Sequence, residues 1–167
     1  FLIHTVSSRT IHVDDTCGPP EEQDGSEDRP YGTIPQGFEA SLPGDTVFVH
    51  AGEYDSPDRI VIPRGVHLAG ERFDLVTLAS TGIEALGGSS LSGFIITCHE
   101  TAGDSFGVHV RGGAFTVRNN LIRDAGIGIW AGPDYTGILL HNNTIVRCGT
   151  GIFFEGQSDT HAANNII

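Results

Sequence analysis

The chain has 167 residues, 38% of them hydrophobic and 18% charged; that suffices for one domain with its own apolar core and excludes a disordered polymer. A formal net charge of −12, with nine Arg and no Lys against 21 acids, repels phosphate backbones and excludes nucleic acid and anionic membrane surfaces as partners. No apolar run approaches the roughly 18 residues of a membrane span, and 23 Gly without a three-residue period exclude collagen.

Residues 1–44 read as an amino-terminal cap: a strand, an acidic loop and a short helix. The start at Phe1 and the absence of Met read as a processed or truncated chain, and Phe1 to Val6 lacks the basic flank of a signal peptide. Seven of the 21 acids crowd between Asp14 and Asp28, interleaved with Gly18-Pro19-Pro20 and Gly25-Ser26, which predicts a solvated loop. A helix is predicted over Ile34 to Leu42, with Pro35 in its first turn and Pro43-Gly44 as its stop.

From residue 45 to 167 short β-type runs alternate with Gly-rich turns, and the runs repeat. Asn119-Asn120-Leu121-Ile122 returns as Asn142-Asn143-Thr144-Ile145, 23 residues on, and as Asn164-Asn165-Ile166-Ile167, 22 further on. Gly107-Val108-His109-Val110 tracks it as Gly128-Ile129-Trp130-Ala131 and Gly151-Ile152-Phe153-Phe154. Gly82-Ile83-Glu84-Ala85 with Leu91 to Ile96 reads as an earlier turn without the Asn pair, and Val49-His50-Ala51-Gly52-Glu53 is echoed by His67-Leu68-Ala69-Gly70-Glu71. One such period leaves strand edges open above and below. Stacking the periods in parallel, at about 4.8 Å per turn, pairs those edges and buries a continuous apolar column. The Leu frame of leucine-rich repeats is missing and a propeller blade needs nearly twice the length, so the expected fold is all-β: a right-handed parallel β-helix, with its last coil uncapped at Ile167. Such an end exposes unpaired backbone, so either more chain follows or another molecule covers it, by self-association of copies end to end. Asn tolerates the left-handed corner, and Asn120, Asn143 and Asn165 are expected to form an internal amide ladder.

Thr10 to Asp14, Asp28-Arg29-Pro30-Tyr31-Gly32-Thr33-Ile34, Pro43-Gly44-Asp45-Thr46-Val47-Phe48-Val49, Gly52-Glu53-Tyr54 and Ile60 to Val66 resemble the amino-terminal region of secreted β-helix proteins of the pectin-lyase-like superfamily, and the Asn-Asn-x-Ile coils resemble its parallel β-helix repeats. The resemblance implies a secreted or cell-surface protein facing a polysaccharide or cell-surface glycan, with the helix capping the first coil. Pro20 and Pro35 depart from that cap. The superfamily includes lyases, epimerases, glycosidases, tailspikes and proteins without known activity, so the resemblance leaves catalysis open.

Strand alternation assigns faces. Val108, Ile129 and Ile152 point inward, as do Val110, Ala131 and Phe154; His109, Trp130 and Phe153 then point outward as a column, the expected carbohydrate-binding strip because sugar C–H faces stack on aromatic planes. The alternative is that a loop such as Pro133-Asp134-Tyr135, or a neighbouring subunit, covers it. For an enzyme, a lyase, epimerase or hydrolase, the residue types are supplied by Arg118 over His141, by the Asp124–Arg147 pair, by Arg123 and by Tyr135, without a distinctive motif. A paired-carboxylate hydrolase draws on Asp124 with Glu155 or Asp104. No metal site is expected; calcium on Asp14, Asp15, Asp24 and Asp28 is the alternative, although no EF-hand or RTX frame is present. Cys98 and Cys148 are placed about two coils apart, near 10 Å, too far for a disulfide; Cys17 is left to pair outside the chain. Three functions follow: an exported module that binds carbohydrate through the strip, a polysaccharide-active enzyme, and a structural subunit of a fibre or surface layer.

Overall fold

The computed structural model describes residues 8–99, 105–133, 136–156 and 159–167. After β1 (Thr10–Val13), the acidic segment and α1 (Ile34–Ala40), the chain winds through successive coils of three strands. They are β2 (Thr46–Val49), β3 (Gly52–Asp55) and β4 (Ile60–Ile62); β5 (His67–Gly70), β6 (Val76–Ser80) and β7 (Ile83–Leu86); then β8 (Ser90–Ser92), β9 (Ile95–Cys98) and β10 (Phe106–Arg111). β11 (Thr116–Arg118), β12 (Leu121–Arg123) and β13 (Ile127–Ala131) follow, then β14 (Thr136–His141), β15 (Thr144–Val146) and β16 (Thr150–Phe154), and β17 (Asp159–Ala163) opens a further coil. Three parallel sheets result. The first stacks β1, β2, β5, β8, β11, β14 and β17; the second stacks β3, β6, β9, β12 and β15; the third stacks β4, β7, β10, β13 and β16. The fold is a parallel β-solenoid of about five turns.

Each sheet sends every second side chain inward, and the inward residues superpose along the axis. Val47, Leu68, Leu91, Val117 and Leu140 form one such column in the first sheet. Tyr54, Leu78, Ile96, Ile122 and Ile145 form one in the second, and Ile60, Ile83, Val108 and Ile129 one in the third. Phe94, between β8 and β9, and Phe115, just before β11, are both buried. Each of these side chains contributes about 1.5–3 kcal/mol by leaving water, so the repeat builds one core without any element being stable alone.

The register of the later coils is the one the repeats predict, but the first echo is shifted. Thr46 pairs with His67 and Val49 with Gly70, a step of 21 rather than the 18 that aligns Val49 with His67. The two Ala-Gly-Glu triplets sit at different points of their coils: Gly52 opens β3, whereas Gly70 closes β5. Two residues turn the corner before β3, against five before β6.

The helix also ends earlier than predicted. Ser41 is extended (φ −87°, ψ 151°), and the Leu42 N–H donates to the Asp45 carboxylate at 3.0 Å, which pulls the chain out of the helix. At the other end Thr33 caps through its side chain and Pro35 occupies the first turn. Gly37 lets α1 sit close on the sheet, since a Cβ there would lie 2.9 Å from Val13 and Val47 methyls. The acidic segment is solvated as expected, with six of its seven acids exposed, and it is also tied back by backbone bonds: Gly25 accepts from the His12 N–H and Tyr31 pairs across β1 to His12 and Asp14.

The two residues of each Asn pair have separate tasks. Asn119, Asn142 and Asn164 take the left-handed conformation, with φ of 54–55°. Asn120, Asn143 and Asn165 point inward; Asn120 Nδ2 donates to Asn143 Oδ1 at 3.2 Å, and Asn143 Nδ2 to Asn165 Oδ1 at 3.0 Å. Cys17, Cys98 and Cys148 are all free thiols. Cys98 donates to the Phe106 carbonyl at 3.0 Å, and burial pushes its pKa up to about 11.

Candidate functional site

On the outer face of the third sheet, parallel pairing superposes Val61, Glu84, His109, Trp130 and Phe153 on successive coils. The rings of His109 and Trp130 stack, with centroids 4.4 Å apart and planes 12° from parallel. Phe153 meets Trp130 edge-on at 6.0 Å, and Phe106 from β10 stands edge-on to both His109 and Trp130. The strip is therefore partly self-covering. Coil spacing sets the stacking distance, so His109 and Trp130 spend one face on each other, and both are half-buried. Phe153, 41% exposed, is the open ring of the column. The Trp130 Nε1–H donates to Glu155 Oε2 at 3.1 Å, which fixes the indole and leaves a carboxylate beside Phe153.

Below the rings lies a charged cluster that the repeat gave no means of finding. Glu84 is 8% exposed, and its carboxylate meets Arg59 at 2.5 Å and Arg111 at 3.5 Å. Arg59 also covers Phe106, 4.7 Å from the ring centroid. Two guanidiniums on one carboxylate leave a local positive surplus on an otherwise acidic molecule. Burial, more than the neighbouring Arg111 and Arg59, holds the His109 imidazole below its usual pKa against the pull of Glu84; the ring is neutral near pH 7 and carries a lone pair.

The other predicted catalytic residues fall in two separate places. Arg118 and His141 superpose on the outer face of the first sheet, with Ala163 next in the row. Asp124 and Arg147 occupy the corner between the second and third sheets, where Arg147 Nε and Nη2 each donate to the carboxylate at 2.5 Å. Those bonds hold the Asp124 pKa below the usual carboxylate range, so it stays ionised rather than serving as an acid. Arg123 donates to Thr97 Oγ1 at 3.2 Å. Asp124 precedes β13 while Glu155 follows β16, at opposite ends of the third sheet. By strand rise they are roughly 20 Å apart, beyond the roughly 9.5 Å limit of a glycosidase pair, and that pairing is withdrawn. Asp104 and Tyr135 lie outside the described residues.

Three of the four carboxylates proposed for calcium are engaged separately. Asp14 accepts from Thr16, Asp24 from Ser26 and Arg29, and Asp15 from the Glu53 N–H. Among the described residues, no group of three or more His, Cys, Asp or Glu is arranged to hold a metal ion. A histidine pair escaped the sequence reading: His12 Nδ1, on β1, lies 3.0 Å from Nε2 of His50, in the corner after β2, beside Phe48. No spacing pattern within the chain signals it, because the two residues are 38 positions apart.

Compared with known proteins, residues 72–167 match the family model of the right-handed β-helix region. No curated protein and no solved structure matches the chain. The matched span covers more than half of the sequence, and the same three sheets run on through the residues before it; the chain belongs to the right-handed β-helix family.

Proposed function

We propose that this chain is an exported module, secreted or held at the cell surface, that binds neutral carbohydrate on the outer face of its third sheet. The observation that supports this reading is Phe153, an exposed ring beside a Trp130 indole fixed by Glu155. An apolar sugar face against Phe153, with hydroxyls donating to the Glu155 carboxylate, uses both. The self-stacking of His109 and Trp130 makes the contact narrower than a three-ring platform, of the order of one sugar unit. The net charge of −12 favours a neutral glycan over a polyuronate. On a glycan array, Phe153→Ala is expected to lose binding about tenfold, the scale of one aromatic contact, and Trp130→Ala to lose it as well. Binding that both variants retain in full would remove the strip from the account.

A polysaccharide lyase is the second reading, favoured by the neutral His109 beside Arg59 and Arg111. In it, the guanidiniums offset the uronate carboxylate and the imidazole takes the proton α to it. Release of unsaturated uronides, followed by absorbance and abolished in Arg111→Ala, would support this reading; the same assay on Arg118→Ala and His141→Ala tests the first-sheet pair.

A further inference from the structure

The corner between the first and second sheets takes two residues in most coils: Gly93-Phe94, Asn119-Asn120 and Asn142-Asn143. The coil of β5 and β6 differs, with five residues, Glu71 to Leu75, projecting there. Its neighbour in the stack is Gly93, and neither it nor Gly70 has room for a side chain: a Cβ on Gly70 would lie 2.2 Å from the Gly93 carbonyl oxygen, and one on Gly93 2.6 Å from that of Gly70. Two bare rungs followed by the Asn119 and Asn142 rungs leave a notch with the projecting turn as its wall. The resulting cavity holds about 580 Å³ and is lined by Phe73, Ser92, Asn119, Asn142 and Thr144 among others, within the roughly 300–1,000 Å³ of small-molecule sites.

The lining selects a chemistry. Phe73 is 52% exposed, an apolar ring on the wall. Asn142 Nδ2 donates to Asn119 Oδ1 at 3.3 Å, which orients the two amides and leaves Asn119 Nδ2 as a donor and Asn142 Oδ1 as an acceptor. The rim charges are engaged elsewhere: Arg72 on Asp74 at 2.5 Å, and Glu71 on the Ala51 N–H at 3.0 Å. An aromatic wall with oriented neutral donors and acceptors and two hydroxyls suits a ring that has an apolar C–H face and hydroxyls at its edge. We infer that this notch is a binding pocket for an uncharged sugar ring, distinct from the third-sheet strip and independent of it.

The test titrates the ¹⁵N-labelled chain with glucose, mannose and N-acetylglucosamine, and in parallel with neutral oligosaccharides of the same sugars. The Asn119 and Asn142 side-chain amides and the Gly93 backbone amide are expected to shift in at least one series. A response to the free sugars identifies a soluble monosaccharide as the ligand, and a response to oligosaccharides alone identifies a ring of a longer glycan; both support the pocket. Phe73→Ala, at an exposed site, and Asn142→Gly, which keeps the left-handed corner while deleting the amide, should each weaken the response about tenfold, with the remaining spectrum unchanged. Trp130→Ala should leave it unaltered, so the pocket and the strip succeed or fail separately. Silence of the notch resonances with every sugar, or binding that survives both notch variants, overturns the inference.

Discussion

At Asn143 one side chain closes several accounts at once. Its Oδ1 accepts from the Asn120 backbone N–H and from Asn120 Nδ2, and its Nδ2 donates to the Val117 carbonyl and to Asn165. The Asn120 and Val117 partners have no water to fall back on, since Asn143, Val117 and Asn120 are all buried, whereas Asn165 is half-buried. Leaving buried donors and acceptors unpaired costs about 1–3 kcal/mol each. Asn143→Ala is therefore expected to lower stability in urea denaturation by about 3 kcal/mol or more. Its neighbour Asn142 has a different duty, holding φ at 54°. Asn142→Gly should be nearly neutral, and Asn142→Val should cost about 1–2 kcal/mol through the left-handed backbone alone. If Asn143→Ala and Asn142→Gly prove equally costly, the division of labour within the pair is wrong.

Among the elements, β13, with Gly128 as its second residue, shows why the repeated glycine cannot be relaxed. A Cβ at Gly128 would stand 2.5 Å from Ile145 Cγ2 and 2.6 Å from the Gly151 carbonyl oxygen; Gly107 meets Ile122 and Gly128 in the same way. Both obstacles belong to neighbouring strands of a packed core, so Gly128→Ala is expected to cost about 1–3 kcal/mol and to lower the thermal midpoint, while Ala at the open corner Gly44, where no atom lies within 4 Å, meets only its own φ of 99°. These elements also show what the sequence made legible. Where the Asn pair and the Gly-x-x-x run recur, in β11 to β17, coil and register are readable, because a two-residue corner leaves the chain one way to stack; the inward face is readable too except at Phe154, expected inward and 43% exposed. Before residue 80 the corners vary in length and the register slips by three residues. Features formed between coils without a repeated residue type leave no trace in the chain: Glu84 with Arg59 and Arg111, the His12–His50 contact, and the notch beside Phe73. The outward column was readable, but the stacking of its rings was not, because side-chain orientation across coils follows from rotamers rather than from spacing.

For the molecule as a whole, the stacked coils place titrating groups on a common surface, and their shifts fix how stability depends on pH. Burial lowers the pKa of His12, helped by His50 and opposed by Glu27, and burial likewise lowers that of His109. The unfolded chain titrates its histidines near about 6.5. Between the folded and unfolded values the unfolded chain binds more protons, so stability declines as pH falls through about 6.5 and levels off below the folded values. Four carboxylates act in a second, more acidic stage: Asp14, Asp24, Asp45 and Asp124. For Asp14, burial opposes ionisation but the Thr16 bonds prevail; for Asp24 the Ser26 bonds dominate. For Asp45, burial opposes ionisation but the bonds from Arg9 and Leu42 prevail; for Asp124 the Arg147 bonds dominate. All four are depressed, so their contribution is complete above about 3.9 and is lost as pH drops through their folded values. Urea midpoints measured from about pH 7.5 to about pH 3, at an ionic strength of about 0.15 M to screen the acidic surface, should fall in two steps. His12→Phe with His109→Phe keeps the ring stacks at both sites while removing the titrating nitrogens. That double variant is expected to flatten the upper step and leave the lower one in place; an upper step of unchanged size would show that other groups carry it.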